Sequence, residues 1–326
     1  MEHYSFDSLY RLVRNDDLLT RLKTTDKPIV LYGMGNGADK MCSVLSALGK
    51  EPADFMASEG FVRGQYFRGK KVLSYRELKE KYKDFTLLIV FGSRIPQVIE
   101  AVKDLSLREE MYIPDLPLAG EDLFTLSYLS EHKKEIDVCF RTLEDNRSKS
   151  VLFYTLAYKV TGKADYLFQS VFEEDKYGLL RPKTIREAVD VGGYRGDTLD
   201  EWSKTFPELA TVLSIEPDPK NYRKLLEKAK ACPFPVRCVN EAAWESDGEL
   251  VFYASHNRNA TARKGDDGGV KTSFEAKETV VPCRKIDSLL QGDKADYIKY
   301  DTEGAEKEAL LGTRTTIEKY TPKTQG

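Results

Sequence analysis

The stretch from Ala188 to Thr198 constrains this chain more than any other. Ala188-Val189-Asp190-Val191 is small and β-branched, the make-up of a buried central strand. Gly192 and Gly193 follow, residues that take positive φ and let a ligand lie against bare backbone. Gly196 comes four residues after Gly192, and Asp197 and Thr198 are good caps for a helix over Leu199 to Thr205. Strand, glycine turn and helix N-terminus together make a small-molecule binding edge in an open α/β sheet. The spacing is Asp-x-Gly-x-x-x-Gly. It is neither the dinucleotide Gly-x-Gly-x-x-Gly nor a P-loop, which argues against a nucleoside triphosphate.

Later stretches supply the rest of such an edge. Thr211 to Asp218 reads as a second strand ending in a carboxylate, and an acid there accepts hydrogen bonds from ribose hydroxyls; Glu216 is the candidate. Phe234 to Asn240 reads as a third strand leading into Glu241-Ala242-Ala243-Trp244. Small residues there let an adenine ring lie flat, with Asn240 or Glu241 reading its edge; alternatively, Ala242 and Ala243 pack the strand's end. Ala295 to Asp301 is a further strand, followed by Thr302-Glu303-Gly304-Ala305-Glu306. Asp301 and Glu303 sit where ligands bind, and Asp301 is suited to orient an acceptor or take its proton. The competing reading makes Asp301 a helix cap and pairs Glu303 with Lys299 or Lys307. Asp247-Gly248 is a hairpin signal, and Glu249 to Ala254 with Glu278 to Cys283 reads as an added strand pair. The polar, glycine-rich segment between them is a lid or simple disorder, and it carries His256, a candidate base.

Four motifs in order, DVGGYRGDT, SIEPDP, NEAAW and DYIKYDTEGAE, resemble the FkbM family of S-adenosylmethionine-dependent methyltransferases over about Thr184 to Pro322. The resemblance implies a cofactor site for S-adenosylmethionine made by Asp190, Gly192, Gly193, Tyr194, Gly196, Thr198, Glu216, Pro217, Asn240, Glu241 and Ala242. Asp301, Glu303 and His256 are the catalytic candidates, and no metal is required. The acceptor it implies is a hydroxyl on a sugar, glycan or natural-product scaffold. It also implies further strands after the fourth, for which the sequence up to Gly326 leaves no room. The C-terminal sheet therefore reads as truncated, with the fourth strand's outer edge unpaired, a folding liability.

Upstream, Phe6 to Lys23 has the spacing of one helix. Ile29 to Tyr32, Gly33-Met34-Gly35-Asn36-Gly37-Ala38 and a helix from Asp39 to Leu48 have the general shape of a Rossmann turn. The acid that a dinucleotide needs is missing: the second strand ends Phe55-Met56-Ala57-Ser58, with Glu59 one step late. This part resembles the small Rossmann-like domain found beside sugar-modifying enzymes. Gly69 to Ser74 leads to a helix from Tyr75 to Tyr82, with Ser74 and Glu77 in capping-box position. The Pro114 and Pro117 run marks a boundary, and Glu121 to about Tyr177 is helical in pattern.

The expected architecture is α/β, with two Rossmann-like doubly wound domains joined by a mostly helical segment: 1–117, a helical region 118–183, and a methyltransferase-like domain 184–326. At 326 residues, two domains are in keeping with length. A net charge of −3 sets up no global field for nucleic acid. Five scattered cysteines and the absence of a secretion signal favour free thiols in a cytoplasmic protein. The longest apolar run, Leu87 to Phe91, is too short to span a bilayer. Two other functions compete: a nucleotide-binding oxidoreductase working through Gly33 to Ala38, and a non-catalytic cofactor-binding module.

Overall fold

A computed structural model describes residues 4–93, 95–117, 123–171, 180–254, 261–263, 277–302 and 304–326; of 252–254, 261–263 and 277–279 the backbone alone is described. The chain divides into two compact units, Met1–Glu173 and Glu174–Gly326.

The first unit runs α1 (Phe6–Val13), α2 (Leu18–Thr24), β1 (Ile29–Tyr32), α3 (Asn36–Ala47), β2 (Asp54–Met56), β3 (Tyr66–Phe67), β4 (Lys70–Leu73), α4 (Tyr75–Lys81), β5 (Thr86–Ile89), α5 (Pro96–Arg108), β6 (Glu110–Tyr112), α6 (Leu126–Glu131), α7 (Lys133–Thr142), α8 (Asn146–Thr161) and α9 (Ala164–Ser170). Its sheet has the order β3-β4-β2-β1-β5-β6, parallel except for the β3–β4 pair. Every residue of β1 is buried because successive side chains feed opposite faces. Ile29 and Leu31 pack with Leu22 of α2 and Met41 and Leu45 of α3. Val30 and Tyr32 pack with Leu78 of α4 and Val102 and Leu105 of α5. The strand order reverses at β1, so the crevice at the carboxyl ends of β1 and β5 is a topological switch point.

The single helix expected over Phe6 to Lys23 is in fact two. The Asp17 carboxylate accepts the Thr20 N–H at 2.8 Å and starts α2 afresh, a local cap overriding the continuous apolar spacing. Leu9 and Val13 of α1 join Leu129, Phe140, Phe153, Leu156 and Val160 in one cluster. The helices read as part of a joining segment over 118–183 thus pack on α1, and the contact division falls at 173/174. Helix α3 begins at Asn36 rather than Asp39, with Gly35 as N-cap. The Ser74–Glu77 capping box forms as the sequence implies.

The second unit holds β7 (Glu187–Val191), α10 (Asp197–Thr205), β8 (Thr211–Ile215), α11 (Pro219–Ala229), β9 (Val236–Val239), β10 (Ala242–Ala243), β11 (Gly248–Ala254), β12 (Thr261–Arg263), β13 (Lys277–Arg284), α12 (Ile286–Leu290), β14 (Tyr297–Tyr300), α13 (Glu306–Leu311), α14 (Arg314–Tyr320) and β15 (Lys323–Gln325). Its main sheet is parallel, in the order β15-β14-β7-β8-β9. Ala188, Val212 and Tyr297 face α10 and α11, where Trp202 and Phe206 meet Tyr297 with ring centroids 5.3 and 5.5 Å apart. Val189, Leu213 and Ile298 face α12 and α13. Aromatic edge contacts of this kind add about 0.5–1.5 kcal/mol beyond area burial and pin α10 against the sheet.

Two expectations are corrected here. The outer edge of β14 is paired: Tyr297, Ile298 and Lys299 stand beside Lys323, Thr324 and Gln325. Asp247-Gly248 does not turn a hairpin, because β10 pairs with β13 and not with β11. Asp247 instead accepts the Lys285 N–H at 2.7 Å. The antiparallel β11–β13 pair matches the strand pair read from the sequence.

Candidate functional site

In the second sheet the order reverses at β7, so the switch point lies between the carboxyl ends of β7 and β14. Register brings three polar residues into one row there. Ser214 of β8 stands beside Asp190 of β7, and Asp190 beside Lys299 of β14. Each is two residues beyond a core position of the α10 face, namely Val212, Ala188 and Tyr297, so period-two alternation turns all three the same way.

Asp190 is fully buried. Its Oδ2 accepts from the Ser214 hydroxyl at 3.2 Å, while Oδ1 has no hydrogen-bond partner among the described residues. The Lys299 ammonium lies 3.6 Å from Oδ1 and donates to Asp301 Oδ2 at 3.1 Å and Thr198 Oγ1 at 3.2 Å. Burial pushes the Asp190 carboxyl up to about 6, against the pull of Lys299 and Ser214. Burial also works against the Lys299 charge, but Asp190 and Asp301 outweigh it and hold its pKa above the ordinary value.

Glu216 follows β8 and turns its carboxylate onto the glycine loop. Oε2 accepts the Tyr194 N–H and Oε1 the Asp218 N–H, both at 2.8 Å. The residue is 6% exposed, and burial pushes its carboxyl up to about 7 despite those two bonds. Each carboxylate oxygen carries two acceptor positions, so one on each remains for a ligand hydroxyl. Tyr194 has φ +47°, the left-handed turn that aims its amide at Glu216.

A pH effect follows from the sign of this shift. A carboxyl whose folded pKa is raised from 4.5 to about 7 stabilises the fold below 4.5, and that contribution is lost as pH rises towards 7. Glu216→Gln, which cannot ionise, is therefore expected to gain stability relative to the parent as pH rises through that window. Urea midpoints of both proteins across the window measure it, and a constant difference would show that the burial cost is absent.

The remaining sequence candidates fall into four groups. Thr198 is drawn into the cluster through Lys299. Asn240 and Pro217 shape the loop beside Glu216: Asn240 Nδ2 donates to the carbonyls of Glu216 at 2.8 Å and Pro217 at 3.1 Å, so its amide nitrogen is already engaged. Glu241 pairs with Arg284 at 2.9 Å, and Ala242 is buried with Trp244, Leu250 and Cys283. His256 and Glu303 lie outside the described residues.

The glycines are required by the protein itself. Gly192 has φ +87°, and a Cβ there would run into the Asp301 carbonyl, well inside the 3.0 Å limit of real contacts. Gly193 would meet the Ser214 hydroxyl in the same way. Gly192 is thus needed by the fold as well as being open to a ligand: the loop packs directly on the backbone leaving β14. Gly196, with φ +84°, is the N-cap of α10, in place of the Asp197 and Thr198 caps expected.

Sequence reasoning did not assign Lys299, Ser214 or Glu306. Glu306 accepts the Thr302 N–H at 2.9 Å and the Gly304 N–H at 3.0 Å, holding the loop that follows Asp301. The signal for Lys299 was its two-residue spacing from Asp301 along a strand. Among the described residues no group of His, Cys, Asp and Glu is placed to hold a metal ion. No helix among them is long and apolar enough to cross a membrane. Among the described residues, which include all five cysteines, no disulfide forms.

Residues 190–325 match the family model of the Methyltransferase FkbM domain. No curated protein matches the chain. A similar solved structure is the crystal structure of methyltransferase FkbM from Methylobacillus flagellatus KT, at 18% identity and a TM-score of 0.63. The match covers 97% of this chain and 81% of that one, and at such identity the likeness is one of fold.

Proposed function

Starting from the FkbM methyltransferase domain that residues 190–325 carry, we propose that this protein transfers a methyl group from S-adenosylmethionine to a hydroxyl of a sugar, glycan or natural-product acceptor. The observation that carries the reading is Glu216, a nearly dry carboxylate at the end of the second strand with one acceptor position left on each oxygen. A vicinal diol such as a ribose offers two donors to such an acid. The buried Oδ1 of Asp190, without a hydrogen-bond partner of its own, favours a polar or cationic ligand at the same edge.

S-adenosylmethionine supplies a methyl group already activated by the sulfonium charge. The chain must then hold the acceptor oxygen in line with that methyl, keep water away and receive the proton the oxygen loses. Asp301 is the residue we assign to the proton. It is exposed, follows β14 at the switch point, and bonds Lys299 through one oxygen, leaving the other for an acceptor hydroxyl. Lys299 fixes the position of the Asp301 carboxylate through that bond. The acceptor class rests on the family resemblance, and a cytoplasmic setting rests on the scattered cysteines, which form no disulfide.

The test is titration with S-adenosylhomocysteine. Charge-assisted hydrogen bonds contribute about 1.5–3 kcal/mol, so Glu216→Ala is expected to weaken binding about ten- to a hundredfold. Glu59→Ala, in the first unit, is expected to leave it alone. Equal affinity for the parent and Glu216→Ala would overturn the reading.

A further inference from the structure

The first unit contains a cleft of about 610 Å³ lined by its own residues. It opens where the strand order reverses, between the segments that follow β1 and β5, with the residues after β6 and side chains of α5, α8 and α9 closing it. Switch-point crevices are where open α/β sheets take small molecules, and about 300–1,000 Å³ is the usual size of such a site. From this cleft and its lining we propose that the first unit binds a mononucleotide-like ligand, a flat ring carrying a phosphate.

The lining of the cleft is of two chemical kinds. Phe91, Tyr158 and Phe168, together with aliphatic residues of α5, supply apolar surface that suits a flat ring. Polar groups also line the cleft. Asn36 and Gly37, in the first turn of α3, line it, and the amides of a first turn have no partner within their helix. Lys40 lies one turn on and donates to the Pro117 carbonyl, which anchors its ammonium beside the cleft. Ser93 Oγ accepts the Ile95 N–H at 3.1 Å, leaving its own O–H to donate. The carboxylate that also lines the cleft, Asp115, is matched by Lys159 at 2.7 Å, so it does not oppose an anion unscreened. The cleft itself identifies the site; the helix end and Lys40 only orient the ligand within it.

The shape of the site also selects against a dinucleotide. An adenosine half would lie towards β2, with an acid at that strand's end. The lining of the cleft includes no residue of β2 or of the Glu59–Phe61 turn that follows it, and Glu59 is exposed.

Calorimetric titration of the 326-residue chain with AMP and UMP tests the proposal, with adenosine, uridine and NADH as comparisons. At least one mononucleotide is expected to bind more tightly than its nucleoside and than NADH. Val98→Trp, which fills the cleft from a half-buried position on α5, is expected to weaken that binding at least tenfold and leave S-adenosylhomocysteine binding unchanged. Lys40→Met is expected to shrink the preference for nucleotide over nucleoside by about tenfold, and it decides the matter if Val98→Trp fails to fold. No mononucleotide binding at millimolar concentration, binding that survives Val98→Trp in a folded protein, or tighter binding of NADH would each overturn the proposal.

Discussion

Gly192→Ala is expected to unfold the second unit. The substitution puts a Cβ against the Asp301 carbonyl oxygen, closer than any real Cβ approaches, at a backbone φ of +87° that side chains resist. The obstacle is backbone on both sides, so no rotamer change relieves it. Asp301 N–H also bonds the Val191 carbonyl at 2.9 Å, which ties the two segments together at the point where they would have to separate. Overpacking and positive-φ strain together are expected to cost about 3 kcal/mol or more. Both tryptophans, Trp202 and Trp244, belong to the second unit, so their fluorescence follows its unfolding. Gly326→Ala, in the same unit, where a Cβ meets nothing within 4 Å, is the control and should stay within about 0.5 kcal/mol. Normal stability of Gly192→Ala with lost affinity for S-adenosylhomocysteine would instead mean that the glycine is there for a ligand.

Lys299→Met is expected to have the next largest effect. It leaves the Asp190 carboxylate fully buried with only the Ser214 hydroxyl for company. Removing one partner of a buried pair typically costs about 3–5 kcal/mol, because the remaining charge is stranded. The deficit should shrink in acid: Asp190 already titrates near 6, and losing Lys299 raises that value further, so a proton neutralises the stranded charge as pH falls. Pairing Lys299→Met with Asp190→Asn should recover about 1–3 kcal/mol relative to the sum of the single changes. Urea unfolding above and below pH 6, for the singles and the double, measures both. Additive losses with no pH dependence would mean that the two residues act separately.

The tertiary structure changes the meaning of several motifs without moving them. Glu216 was legible as an acid after a β-branched strand, and its burial agrees with that position. Lys299 was visible only as a partner for Glu303, because nothing in DYIKYD says which strand lies alongside. Lys323-Thr324-Gln325 has no strand signature of its own; it pairs because β14 offers an open ladder of backbone groups.

By itself, the sequence determined what near neighbours decide. The strands at 187–191, 211–215 and 297–300, the capping box at Ser74 and the α/β class all follow from short-range spacing and caps. Tertiary structure alone decided what depends on register. Asp190 meets Ser214 across 24 residues and Lys299 meets Thr198 across 101, contacts that exist only because β8, β7 and β14 lie side by side in step. A one-residue slip of any of the three would turn its polar residue to the opposite face, since side chains alternate along a strand. Local chemistry makes each strand, but the lowest-energy alignment of the whole sheet decides which of their side chains meet.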